Sequence, residues 1–199
     1  MLKIFLLRHG ETPWNADNNR YCGRTDIPLT EKGISQAQEV KRQMEGIELL
    51  NVFSSPLQRA FVTACIASGK EAIKDDRLIE ADFGKWEKKT REEFIAENES
   101  LWLDWISDPA IHRAGGTGET AAEVVARVDD FFHYLQDTYN EGNIMVVGHN
   151  GINRFYMAHK LGMPLKNYRQ LVQQNSSITC FTLDKNGTFT LELLNSKLR

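Results

Sequence analysis

The sequence predicts an α/β fold: a three-layer sandwich with a mostly parallel central sheet, helices on both faces and a C-terminal β-hairpin. Three observations carry this. Leu2 with Ile4-Phe-Leu-Leu7, and Asn143-Ile-Met-Val-Val147, are near-continuous apolar runs. Such runs mark strands buried on both faces, as in a parallel sheet. Strand-like and helix-like stretches then alternate along the chain, and right-handed crossovers make such strands parallel. Near the end, residues 178–183 and 188–193 flank Asp184-Lys-Asn-Gly187, a hairpin signal through Asn186-Gly187.

Composition bounds the protein. The chain has 199 residues, 41% hydrophobic and 26% charged, ordinary values for one globular domain. The net charge of −3 makes no electrostatic case for nucleic acid. No apolar run approaches the ~20 residues needed to cross a bilayer, and no signal peptide precedes the first strand. Cys22, Cys65 and Cys180 are too few and scattered for a disulfide framework or zinc site. A cytoplasmic protein with no membrane or nucleic-acid partner is expected.

In order, the first strand runs into a long polar loop over residues 11–29. Long loops in compact domains are often functional. Thr30 is the expected N-cap of a helix through Ile34, Ala37, Val40 and Met44, stopped at Gly46. Residues 51–54 form the second strand. Ser55-Pro56 reads as an N-cap followed by proline in the first helical position, which puts Arg59 in the first turn of a helix ending at Gly69. Residues 72–74 make a short third strand. Thr90-Arg-Glu-Glu93 is a capping box opening one helix that continues to Ile106 before Asp108-Pro109. Residues 114–118 read as a flexible turn. Thr120-Ala-Ala-Glu123, a second capping box, opens the best-patterned helix, through Val124, Val128, Phe131, Phe132 and Leu135. After the strand at 143–147, a helix extends to about Leu161. One domain over 1–199 is expected, with a small helical cap over roughly 88–118.

Three strand-to-helix junctions bring chemistry to one sheet edge: Arg8 with His9, Arg59, and His149. In open α/β sheets ligands bind at that edge. Gly10 allows close backbone approach. Arginine forks match phosphate oxygens in pairs, and helix N-termini add backbone donors. A phosphoryl group is the natural occupant.

These residues also carry a resemblance. Leu7-Arg-His-Gly-Glu-Thr12 resembles the signature of the histidine phosphatase superfamily, the phosphoglycerate mutase-like fold. Asn15, Gly23-Arg-Thr-Asp-Ile-Pro-Leu-Thr30, Ser54-Ser-Pro-Leu-Gln-Arg-Ala60, Glu80 with Phe83-Gly-Lys-Trp-Glu87, and Gly148-His149 follow in the family's order. The likeness spans nearly the whole chain. It is greatest to the short phosphatases, such as those acting on α-ribazole phosphate, fructose bisphosphates or a broad set of monoesters.

The resemblance implies a metal-independent phosphohydrolase needing no cofactor and acting on a small phosphorylated metabolite. His9 would become a phosphohistidine, with its other ring nitrogen bonded to a backbone carbonyl. Arg8, Arg59 and His149 would hold the transferring oxygens. Asn15 would donate to the phosphoryl group. Glu80, buried beside Phe83 and Trp86, would serve as acid and then base. Cys22, Gly23 and Asn150 would border the substrate. The chain would act as a monomer or homodimer. Two places depart from the family pattern. Lys88 stands where glycine usually follows Glu87. Asn150 stands where glycine usually follows His149, and either turns its amide to the substrate or caps the next helix. His112 and Arg113 are candidates for contacting a second anionic group on the substrate. The rival readings are a phosphoglycerate mutase, and a protein phosphatase or phospho-binding module.

Overall fold

The computed structural model describes residues 1–196; residues 197–199, the end of the expected domain, lie outside the described part. Six strands form one sheet: β1 (Leu2–Arg8), β2 (Leu49–Ser54), β3 (Ile73–Lys74), β4 (Gly142–Gly148), β5 (Ile178–Leu183) and β6 (Phe189–Ser196). Their spatial order is β3-β2-β4-β1-β5-β6. The first four strands of that order are mutually parallel. β5 and β6 are antiparallel, as the hairpin signal predicted.

The α-helices are α1 (Pro13–Ala16), α2 (Glu31–Gln43), α3 (Gln58–Ser68), α4 (Arg91–Glu97), α5 (Glu99–Ser107), α6 (Ala121–Thr138) and α7 (Asn150–Lys160). Side chains alternate across a strand, so β1 feeds two apolar layers. Phe5 and Leu7 pack with Val40 of α2 and Ala60 and Ala64 of α3. Ile4 and Leu6 pack in the opposite layer with Val124, Val128 and Phe131 of α6 and Phe155 of α7. Phe94 and Trp105, from α4 and α5, join that second layer. Among the described residues no helix is long and apolar enough to cross a membrane.

β1 and β4 are neighbours whose following helices lie on opposite faces, α2 on one and α7 on the other. Ligand crevices open at such a switch point, beyond the carboxyl ends of the strands. The register pairs Arg8 with Gly148 and Ser54 with Val147, so three strands end level.

Four sequence expectations need correction. α3 does not start at Ser55-Pro56: its N-cap is Leu57 and no side chain caps it. The Ser55 amide still donates to Val147 O at 3.0 Å, so the chain stays on the ladder one residue longer. The single helix expected after Thr90 is two helices. Asn98 is extended (φ −159°) and its side chain accepts from the Leu101 amide, ending α4 and opening α5. Asparagine competes for backbone groups in this way. The stretch 114–118 is a packed turn. Gly115 is buried, and a Cβ there would lie 2.3 Å from Phe83 O. The long loop after β1 contains α1, opened by a capping box between Thr12 and Asn15. The capping boxes at Thr90 and Thr120, and the αL stop at Gly69, stand as expected.

Candidate active site

A pocket of about 520 Å³ opens at the switch point. Its wall includes Arg8, His9, Asn15, Cys22, Gly23, Arg59, Glu80 and Asn150. His149 lies directly behind, its ring centroid 5.1 Å from that of His9.

His9 continues the β1 ladder, its amide donating to Gly148 O at 3.1 Å. Its Nδ1 lies 2.7 Å from Gly10 O. A carbonyl only accepts, so Nδ1 carries the hydrogen and Nε2 keeps its lone pair. This is the backbone tie expected from the sequence. Burial holds the ring well below the ordinary histidine range, and the charges of Arg59 and Arg8 push it further down. His9 is therefore a neutral base with its free lone pair in the pocket.

The close approach expected at Gly10 is made by the protein itself. A Cβ on Gly10 would sit 2.5 Å from Gly33 O, and one on Gly33 would sit 2.2 Å from Glu11 O. The two glycines let the start of α2 press against the turn that carries His9.

Arg59 is fully buried. Its Nη1 donates to Thr25 O at 2.8 Å and its Nη2 to Gly23 O at 2.7 Å. The site role expected of Gly23 is thus partly to anchor Arg59. Glu87 holds the same loop: its carboxylate accepts from the Arg24 and Thr25 amides and from the Thr25 hydroxyl. Arg8 donates to Gln173 O at 2.9 Å. Burial lowers it to about 10 and also lowers Arg59. The Nε of each is buried and has no acceptor among the described residues, and neither makes an ion pair there, although the charge of Glu80 acts on both.

His149 has no exposed surface, and both ring nitrogens lack partners among the described residues. Burial holds it well below its ordinary range, with Arg59 next in effect. Buried polar atoms without partners are uncommon, and here three side chains show them around one point. An oxyanion placed between them would accept a hydrogen bond from each side chain.

Glu80 is 5% exposed. Its carboxylate accepts from the amides of Ala81 (2.9 Å), Gly151 (3.0 Å) and Ile152 (3.1 Å). Two of these amides belong to the N-terminus of α7, where a carboxylate is favoured. A Cβ on Gly151 would lie 2.6 Å from Glu80 Oε1, so glycine leaves the carboxylate its place. Arg127 steadies the loop from below, donating to Arg77 O and Ile79 O.

Asn15 spends its Oδ1 on the Thr12 amide and hydroxyl and on Asn175 Nδ2. That leaves Nδ2 as the end available to a ligand. Asn150 is the first residue of α7 and lines the pocket; the helix cap is His149. The capping alternative for Asn150 therefore falls. Cys22 is buried, and burial raises its thiol, which makes it a weak nucleophile. Arg113 does not line the pocket; it pairs with Glu123 at 2.7 Å. Among the described residues no three His, Cys, Asp or Glu side chains converge to hold a metal ion.

Sequence reasoning missed Glu87 as a loop holder, Gln173 and Asn153 behind Arg8, and Arg154 and Arg169 in the wall. Asn153 donates to Leu7 O and to Gln173 Oε1, tying α7 to β1 and the 171–177 segment. Only the helical spacing of Asn150, Asn153 and Arg154 hinted at a polar face turned inward.

The sequence model of the Histidine phosphatase superfamily (branch 1) matches residues 4–197. The chain belongs to that superfamily. It is a phosphatase of the family. Phosphoserine phosphatase 1 of Hydrogenobacter thermophilus is 31% identical over 97% of this chain and 92% of its own. A protein of Escherichia coli O139:H28 named "Probable phosphoglycerate mutase GpmB" is 32% identical over 90% of this chain and 84% of its own. The α-ribazole phosphatase of Shigella flexneri superposes with a TM-score of 0.85 at 28% identity, covering 98% of this chain and 96% of that one. The α/β architecture and the short-phosphatase resemblance are thereby upheld.

Proposed function

We propose that this histidine phosphatase hydrolyses small phosphomonoesters through a phosphohistidine on His9. The observation that carries the reading is the His9 ring. Its Nδ1 is tied to Gly10 O, it is held neutral, and two arginines without carboxylate partners lie beside it.

In the first step Nε2 attacks phosphorus. The P–N bond forms, the ester P–O bond breaks, and Glu80 gives its proton to the leaving oxygen. In the second step Glu80 takes a proton from water, whose oxygen attacks phosphorus as the P–N bond breaks. Arg8, Arg59 and His149 hold the equatorial oxygens, where preorganised donors act most strongly in a site shielded from water. Asn15 Nδ2 adds a further donor.

The substrate is a metabolite that fits a pocket of about 520 Å³. The helical cap over roughly 88–118 selects it, since Arg91 and Glu92 of α4 reach the wall. The relatives' names point to phosphoserine and α-ribazole phosphate as starting compounds. Three unpaired cysteines suit a reducing, cytoplasmic setting. A mutase reading is less favoured, since relatives named as phosphatases match over nearly the whole of this chain.

Phosphate release from a panel of phosphorylated metabolites tests the reading, with 2-phosphoglycerate formation from 3-phosphoglycerate followed in parallel. His9→Ala should lose at least about 10⁴-fold in kcat, since a covalent nucleophile cannot be replaced by binding alone. Glu80→Gln should lose about 10²–10⁴-fold. Mutase turnover without phosphate release, or activity that survives in His9→Ala, would overturn it.

A further inference from the structure

The arginines of this protein divide sharply. Eleven are described, and seven of them pair with a carboxylate: Arg20, Arg24, Arg42, Arg77, Arg91, Arg113 and Arg127. The other four are Arg8, Arg59, Arg154 and Arg169, and all four line the one pocket. Carboxylates are not scarce there. Arg20 and Arg91, also in the wall, are paired with Glu93 and Glu92.

Arg8 and Arg59 surround the phosphoryl position beside His9. A single phosphomonoester leaves Arg154 and Arg169 without a purpose. Both are held in place. Arg154 Nε donates to Tyr168 O at 3.1 Å, and its guanidinium lies 5.0 Å from the Tyr168 ring centroid. Arg169 lies 4.6 Å from the Trp102 ring and 5.2 Å from the same Tyr168 ring. Its Nη2 donates to the Tyr21 hydroxyl at 2.9 Å, and its Nε is buried without an acceptor. The terminal nitrogens of Arg154 have no acceptor among the described residues. Two guanidiniums flanking one tyrosine repel each other, and an anion between them reverses that cost.

We propose that Arg154 and Arg169 form a second anion subsite, which binds a carboxylate or second phosphate carried by the phosphomonoester itself. This deepens the phosphatase reading and rests on it. It also replaces Arg113, which Glu123 occupies, as the contact for a second acidic group. The ring contacts, with the bonds to Tyr168 O and the Tyr21 hydroxyl, hold each guanidinium, so recognition needs little further ordering.

The test compares matched esters that differ only in the second acid. 3-Phosphoglycerate against glycerol 3-phosphate reads a carboxylate; fructose 1,6-bisphosphate against fructose 6-phosphate reads a second phosphate. p-Nitrophenyl phosphate, assayed with wild type and His9→Ala, reports the phosphatase reaction independently. Wild type should favour the ester with the second acid in one of the two pairs by tenfold or more in kcat/KM. Arg154→Gln and Arg169→Gln should each shrink that ratio by about 10- to 100-fold, the range for one charged hydrogen-bond partner. The wild-type ratios stand on their own should a variant not fold. Hydrolysis with no preference in either pair, or ratios unchanged in both variants, overturns the subsite and leaves the phosphatase reading intact. No His9-dependent hydrolysis of any ester overturns both.

Discussion

Arg8 and Arg59 hang from main-chain carbonyls at a sheet edge, whereas Arg154, with one such tie, and Arg169, with none, lie against the rings of Tyr168 and Trp102. The first pair is placed by strand ends whose register is fixed by the ladder. The second is placed by side-chain packing between α7, the 165–170 turn and α5. A reaction centre demands sub-ångström placement of donors, and backbone ties supply it. Recognition of a second group on a substrate makes weaker demands on geometry, which side-chain packing can meet. On the proposed reading, one pocket joins a rigid chemical end to a recognition end held by side-chain packing.

The largest expected effect breaks the rigid end. Arg59→Met should lower kcat/KM by about 10²–10³-fold for every ester alike, because it removes a donor from the transferring oxygens. Steady-state kinetics on two unlike substrates, with circular dichroism to verify folding, checks this. A loss confined to one substrate would move Arg59 to the recognition end.

A second prediction concerns the buried histidines. His9 and His149 are held well below the pH at which the unfolded chain protonates them. Below about pH 6.5 the unfolded state therefore binds more protons, and stability falls as pH falls. The slope should be about 1.4 kcal/mol per pH unit for each ring. Melting curves between pH 7.5 and 5.5 should show it, and His149→Asn should remove one ring's share. A slope identical in wild type and variant would mean that His149 titrates normally in the fold.

The smallest effect is expected where the cap is sewn on. Thr90→Ala deletes the capping box of α4, where Thr90 Oγ1 accepts from the Glu93 amide and Glu93 accepts from the Thr90 amide. The cost should be about 1 kcal/mol, or about 2–4 °C in Tm for a chain of this size. Differential scanning calorimetry reads it directly. KM should rise more than kcat falls, since α4 carries wall residues and no proposed catalytic group.

Local signals were legible where one segment decides its own structure. Thr90 and Thr120 cap helices because a hydroxyl three residues before Glu is complete in itself. The runs that became β1 and β4 can be buried only between two layers. Ser55-Pro56 misled because a tertiary hydrogen bond to β4 overrode a good local cap. Asn98 broke a helix that apolar spacing favoured.

The amino-acid order alone determined the layered α/β architecture, the delivery of Arg8, His9, Arg59 and His149 to one edge, and the family. Strand pattern and strand-to-helix junctions are short-range properties, and edge placement follows from them. Only the tertiary structure decided which nitrogen of His9 is free, what leaves Glu80 its place, and which arginines lack carboxylates. Those depend on contacts between residues as far apart as Glu80 and Gly151, or Arg169 and Tyr21. Pairing across such separations is set by packing in three dimensions, which no local spacing encodes.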